Sequence, residues 1–508
     1  MRTKKAFKNI MASMLYQMVS IVCGLIAPRL LLINYGSVYN GVVSSATQML
    51  SVVSVLTLGI AGATRVALYK SLANKDILAT SRIMRANRNY MRKVAVVVVF
   101  YALALAIIYP FISHNSLGYS ETAALILIVS ISTIAEYMFG LSNQTLLSAD
   151  QSIYIYYSIG VIALIVRTLL IVILVNIGAS VFSVYLVSSV VFFVSPAVMT
   201  LYINKKFHLV KNCEPDNDAL KGRSAVAFHS IANIVHENTD LVLLTVFTDA
   251  TEISVYTVYY LVIGKVKMFM RVFTNGMESA FGDMWAKGEY DNLKKNFKSY
   301  EYTLFAFAAV VFSCVGVLII PFLQRYTKGV NDVNYIRYTL AILITITEAT
   351  YCIRHPYLTL VQATGNYEGT KYGALIEAIV NITVSLILVN FIGLNGVIIG
   401  TLIANLIRTT QFAIFSSRRI LYRSLGEVVK RIVWLIVTSG TIISIALIVT
   451  NNLSFDIGWG GWIFEAIIVF LIALSVNFIS SILFYREDFI HLLNTIFRML
   501  HIPQIKRR

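Results

Sequence analysis

Apolar positions run together for about twenty residues at a time along almost the whole chain, and short polar stretches separate the runs. Roughly 20 consecutive apolar residues is the length at which an α-helix crosses the hydrocarbon core of a bilayer. Fourteen such segments predict fourteen spans, at 10–34, 41–69, 94–112, 122–146, 152–176, 180–203, 224–247, 252–282, 301–323, 335–363, 370–392, 395–416, 432–450 and 462–484. The expected fold is an all-α polytopic membrane protein with no separate soluble domain.

The polar stretches test the count, because cytoplasmic loops collect lysine and arginine. Starting from the N-terminal tail, which carries Arg2, Lys4, Lys5 and Lys8, alternate loops and the C-terminal tail hold 31 Lys and Arg, and the opposite loops hold only Arg325 and Lys328. A missed or invented span would exchange the later loops and erase this asymmetry. The expectation is a bacterial cytoplasmic (inner) membrane protein with both termini in the cytoplasm. The basic first segment continues into a long apolar stretch without a small-residue cleavage site and reads as the first span, not a signal peptide. Trp459 and Trp462 are expected at the outer boundary, and Trp285 and Trp434 at the inner one.

The composition fits this picture. Of 508 residues, 57% are apolar and 13% charged, against roughly 25% charged in a soluble domain. The net charge of +17 sits in the loops, where it sets topology, so nucleic-acid binding is not expected. Cys23, Cys213, Cys314 and Cys352 have no CxxC pair or histidine at ligand spacing, and no metal site is expected.

Cations inside the spans carry the functional argument. Arg29, Arg65, Arg167, Lys265, Lys267, Arg271, Arg337, Arg354 and Arg408 lie within or at the ends of apolar segments, where each costs roughly 2.5–3.5 kcal/mol at a helix centre. Arg337, Arg65 and Arg408 are near enough to span ends to snorkel. Arg167 and Lys265 lie roughly 20 Å deep at 1.5 Å per residue. Lys267, Arg271, Thr274 and Glu278 share one helical face. Glu136, Glu348 and Glu377 could neutralise some of these cations, but the spans carry more cations than acids. The reading is an anion-attracting lumen, with Arg29, Arg65, Arg167, Lys265, Lys267, Arg271, Arg354 and Arg408 as substrate-binding candidates.

The seventh span, the most polar, carries His229, Asn233, His236 and Asp240 in one stripe with Glu237 alongside. Its acids either bind a coupling H+ or Na+ or pair with the cations of the eighth span. Glu237, Asp240, Glu136 and Glu348 are the ion-coupling candidates. Pro28, Pro196 and Pro356 lie within spans, and Pro356 predicts a kink in the tenth. No nucleotide-binding loop, nucleophile elbow, HExxH or dinucleotide fingerprint occurs, so the protein reads as a transporter and not an enzyme, driven without ATP.

Two larger polar loops, 204–223 and 417–431, divide the spans into an N-lobe (1–203), a C-lobe (224–416) and a final pair (432–484) followed by a tail (485–508). A faint echo supports two pseudo-symmetric six-helix lobes: Asn34-Tyr-Gly-Ser-Val-Tyr-Asn-Gly-Val joins spans 1 and 2, and Thr248-Asp-Ala-Thr-Glu-Ile-Ser-Val-Tyr joins spans 7 and 8. The two lobes would share one orientation.

The stretch Arg29-Leu-Leu-Leu-Ile-Asn-Tyr-Gly-Ser-Val-Tyr-Asn-Gly, with Gln48-Met-Leu-Ser, Leu58-Gly-Ile-Ala-Gly-Ala and Ala67-Leu-Tyr-Lys-Ser-Leu-Ala-Asn-Lys-Asp, resembles bacterial polysaccharide flippases of the Wzx type. Asn238-Thr-Asp-Leu-Val-Leu-Leu, Val255-Tyr-Thr-Val-Tyr-Tyr, Gln362-Ala-Thr-Gly-Asn-Tyr and Asn390-Phe-Ile-Gly-Leu-Asn-Gly-Val extend the likeness over most of the chain. These flippases share a superfamily with multidrug and toxin extrusion (MATE) transporters and the lipid II flippase. The resemblance implies a MATE-like fold and an undecaprenyl-diphosphate-linked oligosaccharide turned from the inner to the outer leaflet for O-antigen, capsule or another envelope polymer. It also implies pathway partners, a polysaccharide polymerase and glycosyltransferases, and no cofactor beyond a coupling ion. By this resemblance Arg29, Arg65, Lys267 and Arg271 would hold the diphosphate or acidic sugars, while Tyr16, Tyr256 and Tyr260 would stack on sugar rings. The last two spans would groove the polyprenyl tail, and the lobes would work by alternating access. A cation-coupled small-molecule exporter and a lipid II flippase stand as alternatives.

Overall fold

The computed structural model describes residues 2–113, 117–210, 212–220, 238–366, 368–453 and 458–499. Among them no β-strand occurs, and the chain forms sixteen α-helices. In chain order these are α1 Arg2–Tyr35, α2 Ser37–Ser51, α3 Ile60–Ala73, α4 Ile77–Ile112, α5 Tyr119–Ala135, α6 Leu141–Ala149, α7 Tyr154–Asn176, α8 Val181–Lys206, α9 Asn238–Phe247, α10 Ala250–Ala286, α11 Tyr290–Tyr326, α12 Tyr338–Ala363, α13 Lys371–Ile392, α14 Leu394–Phe415, α15 Leu425–Asn452 and α16 Trp459–Met499.

Ten helices are long and apolar enough to cross a membrane, and α2 with α3 makes an eleventh as one bent span. Helices α10 and α12, at 37 and 26 residues, reach at least about 39 Å at 1.5 Å per residue and fall outside that set through polarity, not length. The expected seventh span lies largely outside the described residues, with only α9 seen. The chain is a multi-pass membrane protein.

One expected span differs. The span at 41–69 is not one straight helix: α2 ends in a tight turn over Val52–Thr57, Gly59 takes a left-handed φ of 76°, and α3 leaves at 47°. Helix α12 runs on through Pro356, whereas α16 breaks at Tyr485, whose φ of −136° is not helical. Several basic stretches expected as loops are helical instead. Asp76 caps α4 by accepting from the Ala79 amide at 2.8 Å, so the helix starts well before its apolar run. Helices α10 and α11 likewise continue into a hairpin turned at Gly288, whose φ of 73° suits glycine. Phe281 against Phe297 and Tyr300, and Trp285 against Tyr290, lock that hairpin.

The chain divides into two compact units. Unit 1 comprises Met1–Thr257 with Gly329–Val333, and unit 2 comprises Val258–Lys328 with Asn334–Arg508. The core of unit 1 is built from Ala27, Leu31, Val42, Leu50, Leu105, Tyr109, Leu125 and Val184, which join α1, α2, α4, α5 and α8. Unit 2 centres on α11, buried along most of its length and packed against α12, α15 and α16. Its core is aromatic: Phe281, Phe297, Tyr300, Tyr302, Phe305 and Tyr357. Large apolar side chains such as Phe100, Ile107 and Phe111 on α4 and Val433, Ile436 and Val437 on α15 face outward, the arrangement expected where the solvent is lipid.

Candidate functional site

In unit 2 the membrane-embedded charges form a connected cluster. Glu348 on α12 is buried, accepts a hydrogen bond from the Tyr260 hydroxyl of α10 at 2.8 Å and pairs with Lys267 at 2.8 Å. Lys267 also sits 4.6 Å from the ring centre of Tyr351, and on that same ring the Arg354 guanidinium rests at 4.5 Å. Arg354 donates to Glu377 of α13 at 2.5 Å, and the other oxygen of Glu377 lies 3.4 Å from Arg408 of α14. Arg408 completes its shell with the Thr370 carbonyl, Gln411 and the face of Phe412. Among the described residues three cations thus share two carboxylates, and Tyr351 and Phe412 add π-faces to them. The excess is positive and sits within helices α10, α12 and α14, a setting that draws an anion.

Unit 1 contains a cavity of about 170 Å³ lined by Glu136, Ser132, Tyr16, Tyr156, Ser195 and apolar neighbours. Glu136 opens a π-helical turn, Glu136–Gly140, between α5 and α6; such bulges re-aim side chains and frequently mark functional sites. Arg167 lies with its guanidinium 5.0 Å from the ring centre of Phe192, another cavity residue, and its buried Nε finds no acceptor among the described residues.

Between α15 and α16 runs an apolar groove of about 690 Å³, walled by Val433, Val437, Ile445, Val476, Ile479 and Leu483, with Lys430 at one end. Next to that end, Arg431 is almost fully buried, held by Glu301 at 2.8 Å and Asp488 at 2.9 Å. Glu301 also pairs closely with Arg423. Burial opposes the charge on Arg423, but its hydrogen bond to Glu301 and the attraction of that carboxylate outweigh the cost and raise its pKa above the usual arginine value.

No family model and no curated protein matches the sequence. Solved structures do match in shape. A structure titled lipid II flippase MurJ in an inward closed conformation aligns with a TM-score of 0.69 at 16% identity, over 94% of this chain and 99% of that one. A MATE-family multidrug resistance transporter of the MOP superfamily aligns in its inward-facing form with a TM-score of 0.60 at 13% identity, over 82% and 99%. A structure titled the outward-facing conformation of a MATE-family multidrug resistance transporter of that superfamily aligns with a TM-score of 0.59 at 13% identity, over 84% and 97%. The fold is that of the flippase and the MATE transporters.

Within this MATE-like fold the candidates from the sequence separate into groups. Lys267, Arg354 and Arg408 come together with Glu348 and Glu377. Arg167 and Glu136 belong to unit 1, as does Asp240, buried and accepting from Tyr256 at 3.3 Å. Arg29 is half-buried next to Pro28; Arg65 is exposed, with its Nε 3.3 Å from the Ala61 carbonyl. Lys265 is half-buried and forms no ion pair with a described residue. Glu237, His229, Asn233 and His236 lie outside the described residues, as does the side chain of Arg271. Trp434, expected at the inner boundary, is buried against Tyr302 and Tyr485. The Glu301, Arg423, Arg431 and Asp488 network went unrecognised in the sequence, where its arginines count only as loop charges.

Proposed function

We propose that the protein is a flippase that carries an undecaprenyl-diphosphate-linked oligosaccharide from the inner to the outer leaflet of a bacterial cytoplasmic membrane by alternating access. The observation that carries this reading is the cationic cluster of Lys267, Arg354 and Arg408, whose charge two carboxylates only partly offset. A diphosphate is the ligand such a cluster suits. The groove between α15 and α16 supports the same reading, since an apolar channel open to lipid fits a polyprenyl tail. Coupling to H+ or Na+ would fall to Asp240 and Glu237, and a polymerase and glycosyltransferases of the same pathway would be the protein partners.

A deletion strain should accumulate lipid-linked glycan in the inner leaflet. Wild type should clear it, and Lys267→Ala should clear it at least tenfold more slowly. Absence of any lipid-linked intermediate would favour a cation-coupled small-molecule exporter. The likeness to the lipid II flippase keeps lipid II as a second candidate substrate; accumulation of lipid II alone in that strain would select it.

A further inference from the structure

The cavity of unit 1 has a chemistry that a diphosphate does not use. The Glu136 carboxylate makes no ion pair and no hydrogen bond with another described residue. Its space is secured by Gly140, where a Cβ would collide with that carboxylate. Opposite stand Tyr16 of α1 and Tyr156 of α7, joined through Tyr157 at ring distances of 5.5 and 5.8 Å. Gly160 lets the Tyr16 ring approach α7 closely, since a Cβ there would come within 2.7 Å of it. Ser132 and Ser195 add two hydroxyls, and Pro196 withdraws the amide that would otherwise pair with the Phe192 carbonyl. An unpartnered carboxylate, hydroxyls and aromatic faces in a cavity of one-ring size are the elements that recognise a pyranose. The carboxylate and carbonyl accept from its hydroxyls, and the rings cover its C–H face.

We propose that this cavity is a monosaccharide subsite for a neutral or amino sugar, and that Glu136 excludes uronic acids by like-charge repulsion. The inference rests on the flippase reading and names part of its substrate. A bare cation fits the cavity less well. It would need about six oxygens at roughly 2.3–2.6 Å, and Ala163, Leu164, Phe192, Pro196 and Met199 form an apolar wall instead.

The test uses the full-length protein in detergent and three probes, methyl glucoside, methyl N-acetylglucosaminide and methyl glucuronide, with binding read by saturation-transfer NMR. The two neutral glycosides should bind roughly tenfold more tightly than the glucuronide, whose carboxylate meets that of Glu136. Glu136→Gln should shrink that gap to about threefold or less, and Tyr16→Ala should weaken all three while Tyr16→Phe retains binding. Unchanged thermal unfolding midpoints establish that the variants are folded. Equal binding of all three probes, or a gap untouched by Glu136→Gln, overturns the proposal. So does Na+ binding that is lost in Glu136→Gln in a protein blind to glycosides. A deletion strain without lipid-linked glycan would sink the flippase reading and leave glycoside selectivity standing. Glycoside blindness in a protein whose deletion does accumulate the glycan would sink the subsite alone.

Discussion

Glu377 shows what single side chains do here. It is one carboxylate between two guanidinium groups, Arg354 and Arg408, all three buried. Removing it strands two charges in a medium that solvates neither, so Glu377→Ala should cost roughly 3–5 kcal/mol, read as a lowered thermal midpoint in detergent. Lys267→Ala leaves Glu348 its hydrogen bond from Tyr260 and should cost less stability than Glu377→Ala while impairing transport more. Equal stability losses would place Lys267 in the scaffold. The sequence reading found Arg354, Arg408, Lys267 and Glu348, because charges inside apolar runs are conspicuous. That Glu348 and Glu377 could neutralise such cations was legible too; which acid meets which cation was not. Arg354 and Glu377 are 23 positions apart on different helices, and nothing local connects them. The roles of Tyr351 and Phe412 as cation partners were equally invisible, because an aromatic residue in an apolar run looks like any other.

Among the elements, the spans were legible because twenty apolar residues have few alternatives to crossing a bilayer. Their ends were not. Helix α4 begins at Ile77, since a polar helix can continue in water once capped; Asp76→Ala should therefore cost about 1 kcal/mol in the thermal midpoint, with the spans intact. The break between α2 and α3 depends on Gly59 in a left-handed conformation, which the sequence records only as one glycine among several. The α15 and α16 pair was expected to form a groove and does enclose one. Filling it with Val437→Trp should slow glycan clearance at least tenfold without lowering the thermal midpoint. Unimpaired clearance would remove the groove from the transport path.

For the whole molecule, the distribution of lysine and arginine predicts one orientation, and single cysteines placed in a cysteine-free background can read it. Asn452→Cys, at the exposed end of α15, should react with an impermeant maleimide in intact cells. Lys295→Cys, exposed on α11, should react only after permeabilisation. The reverse pattern would invert the topology and, with it, the direction assigned to transport. The hairpin of α10 and α11 adds a consequence of its own. Each helix has 37 residues, about 55 Å of rod, against a hydrocarbon core of roughly 30 Å. Aromatic rings clamp the two rods together, so Gly288 at the tip works as the end of a pointer. A tilt of α11 by a few degrees becomes a displacement at the tip that a spin label on Lys287 can report.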